Sequence, residues 1–178
     1  MTTIKQDDFI QSIADALQFI SYYHPDDFVK AMTEAWKSEQ SPAAKDAIAQ
    51  ILVNSRMCAE GHRPICQDTG MVVAFVDIGM NLRWQADLTV EEMVNEGVRR
   101  AYSHPDNLLR ASMVADPAGA RKNTGDNTPA MVHTRMVAGD GLAIRIAAKG
   151  GGSENKSKFT VLNPSTSLVD WILDVVPT

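Results

Sequence analysis

The chain has 178 residues, enough for one domain with a hydrophobic core of its own. Its formal net charge is −5, and both charge signs are mixed along the chain, so we expect no nucleic-acid partner. No apolar run approaches the ~20 residues that cross a bilayer, and residues 1–8 are polar, so we expect no membrane association and no signal peptide. These features predict a cytoplasmic protein.

Three helices are predicted in the first third of the chain. Apolar residues recur at three- and four-residue steps over residues 8–22, which indicates an amphipathic helix. Pro25 with the acids that follow it, and Ser41 with Pro42, are typical of the starts of two further helices. The third helix is expected to stop near Gly61.

The middle of the chain predicts a strand and a fourth helix. Residues 71–78 are hydrophobic at both parities, as expected of a largely buried strand. Thr89 and Glu92 have the spacing of a capping box, which favours a helix start. Residues 106–130 are rich in turn-forming side chains, so we expect irregular structure there.

The last part of the chain predicts the rest of a small sheet and a last helix. Residues 131–137 and 142–148 have strand patterns, and Gly139-Asp140-Gly141 between them predicts a hairpin. A short apolar helix is expected over residues 168–176. The fold class is therefore α+β in a single domain over residues 1–178: N-terminal helices followed by a small sheet with a hairpin and flanking helices.

The two cysteines, Cys58 and Cys66, are too few for a disulfide framework. Cys58 falls near the end of a helical pattern and is interpreted as a small buried hydrophobic residue. Cys66 is followed by Gln67 and Asp68, in a segment between Pro64 and a glycine. Loops held by rigid elements are where chemistry is usually placed, so Cys66 is the better candidate for a nucleophile or a metal ligand.

A second polar cluster, Lys149-Gly150-Gly151-Gly152-Ser153, follows a predicted strand. Three glycines allow the backbone to approach a ligand closely and to turn amide N–H groups toward an anion. The segment is not a P-loop, because the Gly-Lys-Ser/Thr ending is missing. A flexible loop is the alternative interpretation.

Between the two clusters, Arg110 lies among small and apolar residues, and residues 121–127 add further donors. A dicarboxylate substrate needs planar, bidentate donors of the kind that arginine supplies. Arg121 is interpreted as a solvated surface charge. The histidines unrelated by spacing are interpreted as structural: His62, His104 and His133.

The pair Cys66 and Asp68 could belong to a metal site or to a site with a cysteine nucleophile. If Cys66 binds a metal, Asp68 lies beside the metal-bound substrate and could transfer or orient a proton, which suits adding or removing water across a carbon–carbon double bond. A cysteine nucleophile would instead need a paired base. No histidine is adjacent to Cys66 in sequence, although one could approach it in space.

The pattern resembles the N-terminal part of the class I fumarate hydratases, the iron–sulfur fumarases, which are related to the two-subunit L-tartrate dehydratases. The Cys-Gln-Asp-Thr-Gly run together with the Lys-Gly-Gly-Gly-Ser run is specific. The matching segments cover nearly the whole chain in family order: 54–56, 63–70, 95–98, 109–110, 122–125 and 148–153.

The resemblance implies a [4Fe–4S] cluster held by three cysteines, with an open iron that binds the substrate. Cys66 is then similar to the first cluster ligand, which thiolate ligation of iron–sulfur clusters fits. The resemblance implies that Gln67 and Asp68 contact the substrate, that Asp68 also serves in proton transfer, and that Arg110 clamps a carboxylate. It implies further backbone contacts to substrate from two glycines, Gly151 and Gly152.

The family continues beyond the segment that this chain matches, with two further cysteine motifs and another domain. We therefore expect residues 1–178 to correspond to the N-terminal domain of a longer homodimeric enzyme, and to hold no cluster and turn over no substrate alone. Its partners would be a small dicarboxylate (fumarate or malate) and the C-terminal part of the enzyme. A tartrate or other hydroxy-diacid dehydratase, a cluster-free binding module and an independent thiol enzyme are the alternatives.

Overall fold

The computed structural model describes residues 1–66, 70–106, 108–150 and 158–176. The fold is mixed α+β, as predicted from the sequence. In chain order its elements are β1 (Thr3–Lys5), α1 (Gln6–Tyr22), α2 (Asp26–Ser38), α3 (Pro42–Gly61), β2 (Met71–Gly79), β3 (Arg83–Gln85), α4 (Val90–Tyr102), β4 (Val114–Ala115), β5 (Lys122–Asn123), β6 (Met131–Val137), β7 (Leu142–Lys149) and α5 (Leu168–Val175).

Helices α1 and α4 pack together on one face of the main sheet and form the core with it. The buried face of α1 carries the periodic apolar residues that predicted this helix, among them Phe9, Ile13 and Leu17. Gly97 lets α4 come close to α1, since a Cβ at Gly97 would lie 2.6 Å from the Cβ of Ile13. The predicted capping box of α4 is present, with Thr89 as the N-cap residue.

The main sheet has the strand order β6–β2–β7, with β2 in the centre. Strand β6 is parallel to β2 and β7 is antiparallel to it. The face of β2 that carries Val72, Ala74 and Val76 is buried under α1 and α4, whereas Phe75 on the opposite face is 44% exposed. The sheet is therefore covered on one face by the described residues and open on the other.

The predicted hairpin between residues 131–137 and 142–148 is wrong. Both strands form, but β2 lies between them, and the connection between them passes over the end of β2. There Gly79 N–H donates to the Gly141 carbonyl at 2.8 Å, and a Cβ on Gly79 would lie 2.7 Å from the Gly139 carbonyl oxygen. Glycines at a turn predict that the chain reverses, but they do not determine whether the two strands are neighbours.

Helices α2 and α3 contact each other beside this core. Ser41 caps α3 by accepting from the Ala44 N–H at 3.5 Å, and Pro42 occupies the first turn, as predicted. α3 ends at Gly61, and His62 takes a left-handed conformation with φ 47°. None of the described helices is both long and apolar enough to cross a membrane.

Candidate active site

Cys66 lies on a loop, and the residue before it, Ile65, is hydrogen-bonded to two helices. The Ile65 N–H donates to the Ser21 carbonyl near the end of α1 at 2.8 Å. The Ile65 carbonyl accepts from Asn54 Nδ2 of α3 at 3.4 Å. Because both backbone groups of Ile65 are held, the position of Cys66 is set by α1 and α3. Its side chain is exposed.

Cys58 has a structural role, which confirms the interpretation of this residue as buried. Its side chain is 6% exposed, and Sγ donates to Asn54 Oδ1 at 3.6 Å and to the Pro64 carbonyl at 3.7 Å. The two thiols therefore differ in environment: Cys58 is buried and supports the loop, whereas Cys66 is exposed on it.

Cys66 lines a cavity of about 720 Å³, which is within the usual size range of small-molecule sites. The walls are mostly apolar and come from the end of α1, the start of α2, the Cys66 loop, Leu109 and the end of β7. Another cavity, of about 860 Å³, is lined by no residue of the matching segments given in the sequence analysis. The motif residues therefore favour the cavity at Cys66 as the candidate site.

The sheet brings the two main motif loops together. Met71, the first residue of β2, pairs with Lys149, the last residue of β7. At that point Gly70 has φ +59°, and a Cβ on it would lie 1.4 Å from the Lys149 carbonyl oxygen. Gly70 thus packs directly against Lys149 and Gly150, the start of the glycine run, which the sequence could not indicate.

Arg110 follows Leu109, whose buried side chain lines the cavity at Cys66. Arg110 itself is exposed. The structure therefore brings Cys66 and the residue before Arg110 to one cavity. The other predicted site residues lie outside the described residues: Gln67, Asp68, Gly151 and Gly152.

Asn127 was predicted only as one donor among several in residues 121–127, but the structure gives it a specific position. It is fully buried with φ 60°. Its Nδ2 donates to the Gly70 carbonyl at 2.8 Å, and its Oδ1 accepts from the backbone N–H groups of Ser112 at 2.7 Å and Met113 at 3.1 Å. Its side chain therefore bonds to protein backbone inside the fold.

Asn123 and Asp126, which precede Asn127, also bond to other parts of the protein. Asn123 Nδ2 donates to the Ala111 carbonyl at 2.8 Å. Burial would raise the pKa of Asp126, but hydrogen bonds from Thr128 and from the Arg99 guanidinium outweigh it, so the pKa lies below its ordinary value. Asp126 is therefore an ionised partner of α4.

His24 precedes the Pro25 helix start and lines the same cavity as Cys66. Its Nδ1 lies 3.0 Å from Ser55 Oγ, and its ring stacks on Phe28 with centroids 4.5 Å apart. Burial lowers the pKa of His24, which favours a neutral imidazole near neutral pH. Ser55, in the Asn-Ser-Arg segment at 54–56, is buried where it meets His24.

The remaining histidines and Arg121 have other surroundings. His62 stacks on Tyr22, and His133 stacks on Phe75. Arg121 is exposed, as predicted. Within residues 1–66, 70–106, 108–150 and 158–176, no three His, Cys, Asp or Glu side chains are grouped so that they could hold a metal ion. Cys66 is the described thiol that is exposed and lines a cavity.

Comparison with known proteins connects this site with one family. The family model described as Fumarate hydratase (Fumerase) matches residues 10–178. The putative L(+)-tartrate dehydratase subunit alpha of Methanocaldococcus jannaschii is 30% identical over 160 residues, which is 88% of this chain and 55% of that protein. The anaerobic class I fumarate hydratase of Escherichia coli K12 is 36% identical over 119 residues, which is 67% of this chain and 21% of that protein.

A further relative is the L(+)-tartrate dehydratase subunit alpha of Escherichia coli K12, 26% identical over 153 residues, or 86% of this chain and 50% of that protein. The chain thus spans about half the length of these alpha subunits and about a fifth of the class I enzyme.

Proposed function

We propose that this chain is the N-terminal domain of an iron–sulfur enzyme that reversibly hydrates fumarate to L-malate. The proposal starts from the family of the chain, which belongs to the fumarate hydratase family of hydro-lyases. The observation that supports this most directly is the meeting of Cys66, Leu109 and the end of β7 at one cavity. These residues come from three of the motif segments that carry the resemblance. The rest of the enzyme, in the same chain or as a partner subunit, would complete the site.

Cys66 fits one ligand position of a [4Fe–4S] cluster, because its thiol is exposed and lines the cavity. Cys58 does not fit, because its buried thiol donates to Asn54 and Pro64. The chain has two cysteines, so the other thiolates would come from outside these 178 residues. When bound, the cluster supplies a Lewis-acidic iron.

The chain's own residues would bind the substrate and help to move its proton. Arg110, which follows the cavity residue Leu109, would bind one substrate carboxylate through two parallel N–H···O bonds. Asp68 would assist proton transfer at carbon, and Gln67 would contact the substrate beside it. The glycine run, through Gly151 and Gly152, would offer backbone N–H groups to the other carboxylate.

A tartrate dehydratase is the second candidate, and the length of the match supports it. The Methanocaldococcus jannaschii alpha subunit matches 88% of this chain, whereas the class I fumarate hydratase matches 67%. Both candidates remove water from a hydroxy-diacid, so they share Cys66 and Arg110. In the second case the remaining residues would be divided between the rest of the alpha subunit and a separate partner subunit.

The test is anaerobic reconstitution of the complete enzyme with iron and sulfide, followed by the visible absorbance of the cluster and the loss of fumarate. Cys66→Ser should abolish both signals, while Cys58→Ser, which changes the buried thiol, should keep both. Arg110→Lys should raise KM for fumarate by about 10- to 100-fold, because a bidentate bond to a charged group contributes about 1.5–3 kcal/mol.

The outcomes distinguish the two candidate activities and test the assignment of Cys66 as a ligand. Faster turnover of L-tartrate than of L-malate would replace the fumarate proposal with the tartrate one. A cluster retained in Cys66→Ser would contradict the assignment of this ligand. The 178-residue chain reconstituted alone is expected to form no stable cluster, since it supplies one suitable thiolate.

A further inference from the structure

Asn127 connects the segment that follows Cys66 with the segment that follows Arg110. Its amide nitrogen donates to the carbonyl of Gly70, four residues after Cys66, and its amide oxygen accepts from the N–H of Ser112, two residues after Arg110. The two segments are about 40 residues apart in the chain. One fully buried side chain therefore sets the spacing between them.

Helix α4 holds the segment around Asn127 on both sides. Before it, Asp126 Oδ2 accepts from Arg99 Nε at 3.1 Å. After it, the Ala130 N–H donates to Asn95 Oδ1 at 2.8 Å. Since α4 belongs to the hydrophobic core, the segment around Asn127 is attached to that core. A rigid support of this kind is what holds site residues within a fraction of an ångström.

Asparagine suits this position better than other side chains do. It offers a donor and an acceptor at once, and both are used here. It also tolerates the left-handed conformation, which is observed with φ 60°. An ionised aspartate would keep the acceptor toward Ser112 and Met113, but it would place a negative oxygen against the Gly70 carbonyl.

We propose that Asn127 is a positioning residue for the hydro-lyase reaction. It fixes the distance between Gly70, four residues after Cys66, and Ser112, two residues after Arg110, and it does so through the protein backbone without contacting the substrate. This inference rests on the proposed function. Small displacements of reacting groups, on the order of 1 Å, can cost about 100-fold in rate, so this spacing matters for turnover.

The first measurement is amide hydrogen exchange on the 178-residue chain, which needs neither cluster nor activity. Asn127→Ala should speed exchange at Ser112 and Met113, because both N–H groups lose their acceptor. Asn127→Asp should leave those two amides protected and speed exchange at the start of β2. Thr89→Ala is the control, since it weakens the cap of α4 without touching either segment.

The second measurement is the steady-state kinetics of the reconstituted complete enzyme with fumarate. Asn127→Asp should lower kcat by about 10- to 100-fold with little change in KM, because it frees the Gly70 side and keeps the Arg110 side. Asn127→Ala should lower kcat and also raise KM. Thr89→Ala should change neither, and all variants should keep the visible absorbance of the cluster.

A kcat within twofold of the wild-type value in Asn127→Asp, with exchange at β2 altered, would overturn the positioning role. Unaltered exchange in both Asn127 variants would overturn the link itself. If the wild-type enzyme hydrates no fumarate and dehydrates no hydroxy-diacid, the proposed function fails. The exchange experiment then decides alone whether Asn127 couples the two segments.

Discussion

Replacing Gly70 by alanine tests whether the Cys66 loop and the glycine run are packed as tightly as the structure shows. Gly70 has φ +59°, and an added Cβ would lie 1.4 Å from the Lys149 carbonyl oxygen and 2.7 Å from the Gly150 Cα. These neighbours are backbone atoms, which cannot rotate away as the end of a side chain can. We therefore expect Gly70→Ala to separate the start of β2 from the end of β7.

The expected loss of stability has three parts. The left-handed conformation costs alanine about 1–2 kcal/mol, and forcing extra volume into a packed site costs about 1–3 kcal/mol. Displacing the Gly70 carbonyl also weakens its hydrogen bond from Asn127, which contributes about 1 kcal/mol. The sum is about 3–6 kcal/mol, a large part of the ~5–15 kcal/mol that stabilises a domain.

The assay is urea unfolding of the chain, and Gly125→Ala is the matched control. Gly125 also has a positive φ, +82°, but a Cβ on it would have no atom within 4 Å. This control should therefore show the conformational cost alone, about 1–2 kcal/mol. If Gly70→Ala is no more destabilising than Gly125→Ala, the close approach of Gly70 to Lys149 is wrong.

Two further predictions concern the helices. Burial lowers the pKa of His24 below its ordinary value of 6.5, so the unfolded chain binds a proton at higher pH than the folded chain. The free energy of unfolding should therefore fall as pH drops through 6.5 toward the folded pKa. His24→Gln should remove that part of the slope in urea titrations at several pH values. Gly97→Ala should lower the free energy of unfolding by about 1–3 kcal/mol, because its Cβ would meet Ile13 where α1 and α4 cross; an unchanged urea midpoint would contradict that contact.

The helices could be predicted from the sequence because their signals are local. The apolar period of α1, the Ser41–Pro42 start of α3 and the Thr89 capping box of α4 each lie within a few residues of the structure they determine. Strand pairing is not local. The pattern of β6 and β7 identified the strands, but the insertion of β2 between them depends on contacts some 60 residues away.

The same difference explains which parts of the candidate site could be found. Cys66 and Arg110 stand out because of their neighbours in the chain, and the burial of Cys58 follows from its place on α3. Asn127 hydrogen-bonds to both Gly70 and Ser112, but in sequence it is only one of several turn-forming residues. His24 approaches the cavity because α3 supplies Ser55, and no local pattern indicates that contact.

Four asparagine side chains support loops in this chain: Asn54, Asn95, Asn123 and Asn127. Three of them donate to backbone carbonyls: Asn54 to Ile65, Asn123 to Ala111 and Asn127 to Gly70. Asn95 accepts from the Ala130 N–H. Loops lack the ladder partners that strands supply, so their backbone groups need side chains of this kind.

These amides bind the segments next to Cys66, Arg110 and β6, and so each holds a loop at a fixed distance from the core. An asparagine in such a motif can therefore be required for activity while it never contacts the substrate. The geometry of the site is then a property of the backbone framework as much as of the residues that do the chemistry.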